Sequence, residues 1–87
     1  MDDDRLRELH DHLAATGERP VERSASRWLG EAEAIAGDIA HGGVDEAVKR
    51  ERLGKIDHLL ENVDSTGDEV ADDHVESAEA ILDDLLA

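Results

Sequence analysis

The sequence has no cysteine, no phenylalanine and no tyrosine among its 87 residues. Lack of cysteine removes disulfides, thiolate nucleophiles and thiolate metal ligands, and fits a reducing compartment. With Trp28 as the one aromatic residue of the Phe, Tyr and Trp class, any core must be mainly aliphatic. No apolar run approaches the roughly 20 residues that a membrane-spanning helix needs, so no membrane partner is expected. The first residues, Met1-Asp2-Asp3-Asp4, are the opposite of the basic start of a secretory signal, and a cytoplasmic location is expected. Positive charge is also scarce. Nine Lys and Arg stand against 24 Asp and Glu, for a net charge of −15. Phosphate binding needs a cationic face, which argues against direct contact with nucleic acid.

What is present is helical periodicity. Val21, Ala25, Trp28, Ala32, Ile35 and Ile39 are spaced four, three, four, three, four, which draws one stripe along a helix and cannot arise from period-2 strands. This segment, from Pro20 or a later serine cap to the Gly42-Gly43 pair, is the second of four expected helices. The first runs from about Asp3 to Ala15 on Leu6, Leu9 and Leu13, with aspartates favouring its start and Gly17 at its end. The third runs from about Val44 or Asp45 to Val63 on Val48, Leu53, Ile56, Leu60 and Val63, widened by Leu59. Gly54 inside it costs about 1 kcal/mol relative to alanine. Thr66 and Glu69 have capping-box spacing before a fourth helix, about Asp68 to Leu86, on Ala71, Val75, Ala78, Leu82 and Leu85. Connections this short favour antiparallel neighbours. The expected fold is one all-α domain over residues 1–87, a small antiparallel bundle of three to four helices. An offset of 46 residues aligns Asp11-His12-Leu13 with Asp57-His58-Leu59, and Ala32-Glu33-Ala34-Ile35 with Ala78-Glu79-Ala80-Ile81. A duplicated helical hairpin and a chance match of helix-forming composition both account for this.

Ten Leu, six Val, four Ile and the Trp make a thin core for this length, and thin cores often gain burial by self-association, so a homodimer is expected. The charge is uneven. Residues 1–55 hold 13 acids and all nine bases, while residues 56–87 hold 11 acids and no Lys or Arg. Such acidity is common in disordered chains, but the regular stripes oppose disorder. It also suits multimolar salt, where the Debye length is about 3 Å or less and self-repulsion is screened.

Spacing decides between the candidate sites. His10, His12, His41, His58 and His74 form no HExxH and no Glu-x-x-His pair, and His10 and His12 diverge on a helix, so solvated surface histidines and no metal are expected. The run Asp64 to Val75 fails as a calcium loop, with Glu69 at the glycine position and Val75 at the final ligand. Ser24, Ser26, Ser65 and Ser77 have no paired base and no phosphate loop is present. No catalytic residue, no cofactor and no enzyme activity are therefore expected. Arg19, Arg23 and Arg27 form a basic stripe, either an anion site or the complement of the acidic fourth helix, whose Asp72, Asp73 and Glu76 are its outward candidates. Trp28 is either core or an interface anchor.

The stretch from Leu13 to Ile39, LAATGERPVERSASRWLGEAEAIAGDI, with its acidic background, resembles short uncharacterised helical proteins of haloarchaea. The resemblance implies a cytoplasmic location and no particular activity. The reading is a non-enzymatic helical interaction or structural module that self-associates through apolar helix faces in a high-salt cytoplasm. Its rival is an accessory regulator whose acidic C-terminal helix binds a cationic protein partner. The charge carries its own test: helical circular dichroism and the melting temperature should fall as salt is diluted from molar to millimolar, and an unchanged melting temperature would contradict it.

Overall fold

Asp2 starts the first helix, its carboxylate accepting the backbone N–H of Asp4 at 3.0 Å and of Arg5 at 3.3 Å. Asp3 and Asp4 add negative charge at the positive end of the helix dipole. The computed structural model describes residues 2–87. Its helices are α1 (Asp3–Thr16), α2 (Arg23–Ala40), α3 (Glu46–Leu60) and α4 (Glu69–Leu86), and no strand occurs among the described residues. Gly42 and Gly43, at φ 84° and 77°, end α2 in a conformation that side chains disfavour.

The helices run up, down, up, down. α1 packs on α2 and α4, and α2 on α3, while α3 and α4 touch most sparsely. The molecule measures 35 × 20 × 18 Å. One apolar cluster joins all four helices, with Leu6, Leu9, Leu13, Leu53, Ile56 and Leu82 almost wholly removed from water. Aliphatic burial of this kind is the main favourable term in folding. The exposed surface is 5092 Å², close to the roughly 5,000 Å² expected of a folded monomer of 9.5 kDa. One chain therefore closes its own core, and any second copy adds to that core from outside.

Two details depart from the periodicity. In α2 the buried positions are Ala25, Leu29, Ala32, Ala36, Ile39 and Ala40, whereas Trp28 and Ile35 are half-buried at the edge of the cluster. The stripe is rotated by one residue because α2 must face both α1 and α3, and its small alanines permit close approach on that side. At the start of α4 the cap is Asp68, whose side chain accepts the N–H of Ala71 at 3.0 Å, and not the expected Thr66–Glu69 box. Thr66 is instead buried in the loop before it.

Shifting α2 by 46 residues lands on α4 end to end. Buried Ala25, Leu29, Ala32 and Ala36 fall on buried Ala71, Val75, Ala78 and Leu82. The same shift carries buried Leu6 and Leu9 of α1 onto exposed Arg52 and Lys55 of α3, so the correspondence does not extend to those helices.

Candidate interaction surface

The two connectors at one end of the bundle, residues 17–22 and 61–68, are tied together. Glu22 N–H donates to Thr66 O at 2.7 Å. Arg19 holds Asp68 with two bonds, Nε to Oδ2 at 2.9 Å and Nη2 to Oδ1 at 3.1 Å. Asp72 Oδ1 accepts the N–H and the hydroxyl of Thr66, both at 2.8 Å, and Ser65 Oγ lies 3.3 Å from Oδ2. Gly67 adopts φ 82°, and a Cβ there would meet Glu22 Cγ at 3.0 Å, so the close approach of the two loops requires glycine. The Arg19 guanidinium, then the Ala71 N–H, hold the Asp68 carboxyl below the usual range; the Thr66 N–H, then its hydroxyl, do the same for Asp72. Arg19 and Asp72 are thus committed inside the fold.

Arg23 and Arg27 are not. α2 turns Glu33 and Gly37 toward α1, as shown by Gly17 lying near Glu33 Oε1 and His10 lying against Gly37. At 3.6 residues per turn, Trp28 and Ile35 then fall on the α3 side, and Arg23 and Arg27 point outward. α2 lies diagonally across the core from α4, so neither arginine meets the acidic helix. Arg27 sits over the Trp28 ring instead, its Cζ 5.4 Å from the centroid. On α3, Arg50 donates to Leu86 O at 3.4 Å and Asp57 neighbours Glu79, so this flank faces α4. Arg52 and Lys55 fall on the other flank, toward α2. Among the described residues Arg23, Arg27, Arg52 and Lys55 form no ion pair. The remaining cations are engaged: Arg5 with Glu8 and Asp84, Arg7 with Asp4, Lys49 with Asp3, and Arg50 with the Leu86 carbonyl.

Acids gather on the neighbouring α3–α4 side. Glu79 is raised above the usual carboxyl range, first by burial and then by Asp57, Asp83 and Glu76 around it. Asp73 and Glu76 are exposed on the outer surface of α4 and make no ion pair among the described residues. Charge is therefore unevenly placed around the bundle, with unpaired cations on α2 and α3 and crowded carboxylates between α3 and α4.

The histidines are not all surface groups, as spacing alone suggested. His12 and His74 are half-buried where α1 meets α4, with their Nδ1 atoms 2.9 Å apart. His10 and His41 meet edge to face at 6.0 Å, and His41 Nδ1–H donates to Gly37 O. No local signal links residues 62 apart; only the helix arrangement pairs them. No group of three or more metal-ligating side chains converges among the described residues. A half-open cleft of about 220 Å³ lies between α1 and α2, lined by Leu13, Thr16, Val21, Leu29 and Glu33, and the Thr16 hydroxyl turns back to Leu13 O at 2.6 Å. No helix among the described residues is long and apolar enough to cross a membrane.

Residues 5–87 match the profile of a family described as Domain of unknown function (DUF8152). The chain belongs to this family. The match spans all four helices, including the connector pair and the α2–α3 flank. No curated protein and no solved structure matches the chain.

The connector geometry sets a pH dependence. A carboxylate held low adds stability that is complete above its unfolded pKa of about 3.9 and is lost as pH falls through the folded value. Asp72→Asn should lower the melting temperature at neutral pH and flatten the acid limb below about pH 4. Superimposable acid-unfolding curves for the two proteins would contradict the role given to Asp72.

Proposed function

We propose that this protein is a non-enzymatic helical interaction module that self-associates across the α2–α3 flank in a salt-rich cytoplasm. One observation carries the reading: in a chain with 24 acids, Arg23, Arg27, Arg52 and Lys55 make no ion pair among the described residues, and Arg27 covers the half-buried Trp28. Unpaired cations beside an aromatic side chain are a common composition at protein interfaces.

The outer face of α2 is self-complementary. Its first half carries Arg23 and Arg27, and its second half carries Glu31 and Asp38, all exposed. A two-fold, antiparallel α2–α2 contact brings Arg27 of one copy to Asp38 of the other and Trp28 toward Ile35. Such a contact closes on itself. Exposed ion pairs contribute only about 0.2–1 kcal/mol each, so the apolar pair supplies affinity and the charges set register. The rival reading, a cationic partner on α4, keeps Asp73 and Glu76 but loses Asp72 to Thr66.

Sedimentation velocity at moderate salt tests this. The natural sequence should dimerise, and Arg27→Glu, which sets a carboxylate against Asp38 twice across the two-fold axis, should dimerise more weakly. Adding Asp38→Arg to Arg27→Glu should restore the dimer. A strict monomer, or a dimer indifferent to these changes, would refute the α2 contact.

A further inference from the structure

The pairing of His12 with His74 has a chemical capacity that the helix-packing role does not use. The two rings come from the first and last helices, are half-buried, and present Nδ1 to Nδ1 at 2.9 Å with centroids 5.2 Å apart. One nitrogen donates and the other accepts, so the pair is bridged by one shared proton. Two imidazole ligands bonded to an ion at about 2.0–2.1 Å, and set about 90–110° apart, hold their nitrogens about 2.9–3.4 Å from one another. The observed separation lies at the near end of that span.

We propose that His12 Nδ1 and His74 Nδ1 form a two-point site for an imidazole-seeking divalent first-row ion, of the Zn²⁺, Ni²⁺ and Cu²⁺ class, which replaces the bridging proton and pins α1 to α4; the ring that carried that proton on Nδ1 takes it on Nε2 instead. The rings turn slightly so that the ion lies to one side of the line between the nitrogens, and water fills its remaining positions on the solvent side. Nitrogen donors favour this class over Mg²⁺ and Ca²⁺, which prefer oxygen. The net charge of −15 raises the local concentration of any cation. Both ligands are in place only when α1 and α4 are packed, so the ion binds the folded state and stabilises it.

The other histidines supply internal controls. His41 Nδ1 is engaged by the Gly37 carbonyl. His58 lies on the exposed face of α3 with Glu61 Oε2 3.6 Å away and no second imidazole.

Untagged protein, freed of metal and titrated with Zn²⁺ at fixed ionic strength, should bind one equivalent by calorimetry and melt several degrees higher. Mg²⁺ at the same concentration should give no comparable rise. His12→Ala and His74→Ala should each abolish the Zn²⁺-dependent shift, and His58→Ala should keep it. His12→Gln, which can still hydrogen-bond to His74, separates loss of the metal ligand from loss of the helix contact: it should fold and lack the shift. Absence of binding, or a Zn²⁺ shift that survives in His12→Gln and His74→Ala, would overturn the proposal.

Discussion

Nine cations must serve 24 carboxylates, and where the fold places them governs the rest of this molecule. Arg19 closes the two connectors on Asp68, while Arg5 and Lys49 draw the opposite end together through Asp84 and Asp3. Those pairs join segments far apart in the chain, which is where an ion pair adds most to register. What remains is uneven. On one long side of the bundle, burial first and neighbouring carboxylates second hold Glu79 partly against ionisation, and the sparse α3–α4 packing lies along that side. A raised carboxyl is a cost at neutral pH that falls on protonation, the reverse of the stabilising sense at Asp68 and Asp72. Concentrated salt would screen the part of that cost that comes from Asp57, Asp83 and Glu76.

Beneath the charge lies an aliphatic core that needs no aromatic ring. Leu6, Leu9 and Leu13 of α1 meet alanine-lined faces of α2 and α4, and Leu53, Ile56 and Leu60 complete the far side. Alanine at Ala32, Ala36 and Ala78 brings helices close, where leucines from α1 and α3 fill the space between them. This division explains how a chain with few large side chains still exposes only the surface of a finished monomer, and why Trp28 is left at the edge. Its ring is too large for the alanine-lined side of α2, so it lies between core and solvent under Arg27.

Much of this architecture was legible in the sequence because it is local. The leucine spacing of α1, the glycine pair after α2 and the alternating stripe of α4 each depend on residues three or four apart. The rotation of α2 was not legible. Positions 25, 28, 32, 35, 39 step three, four, three, four and positions 25, 29, 32, 36, 39 step four, three, four, three; both are helical stripes, and only contact with both α1 and α3 selects the second. Thr66 read as half of a capping box because nothing local shows that its hydroxyl is turned to Asp72. At the candidate surface, Trp28, Arg23 and Arg27 stood out by composition. Lys49, Arg50, Arg52 and Lys55 also read as a basic cluster, but that Arg52 and Lys55 turn toward α2 follows only from α3 packing beside it, and that α4 lies out of reach from its diagonal position. The His12–His74 pair is tertiary in the same sense.

Trp28 is the chain's sole intrinsic fluorophore of its kind, so it reports on the α2–α3 flank without labelling. The most direct measurement is its emission and its quenching by acrylamide across a dilution series spanning association. If a second copy covers this flank, the emission maximum moves to shorter wavelength and quenching falls as concentration rises. Emission and quenching that stay constant while sedimentation records a dimer would place the contact elsewhere and contradict the account.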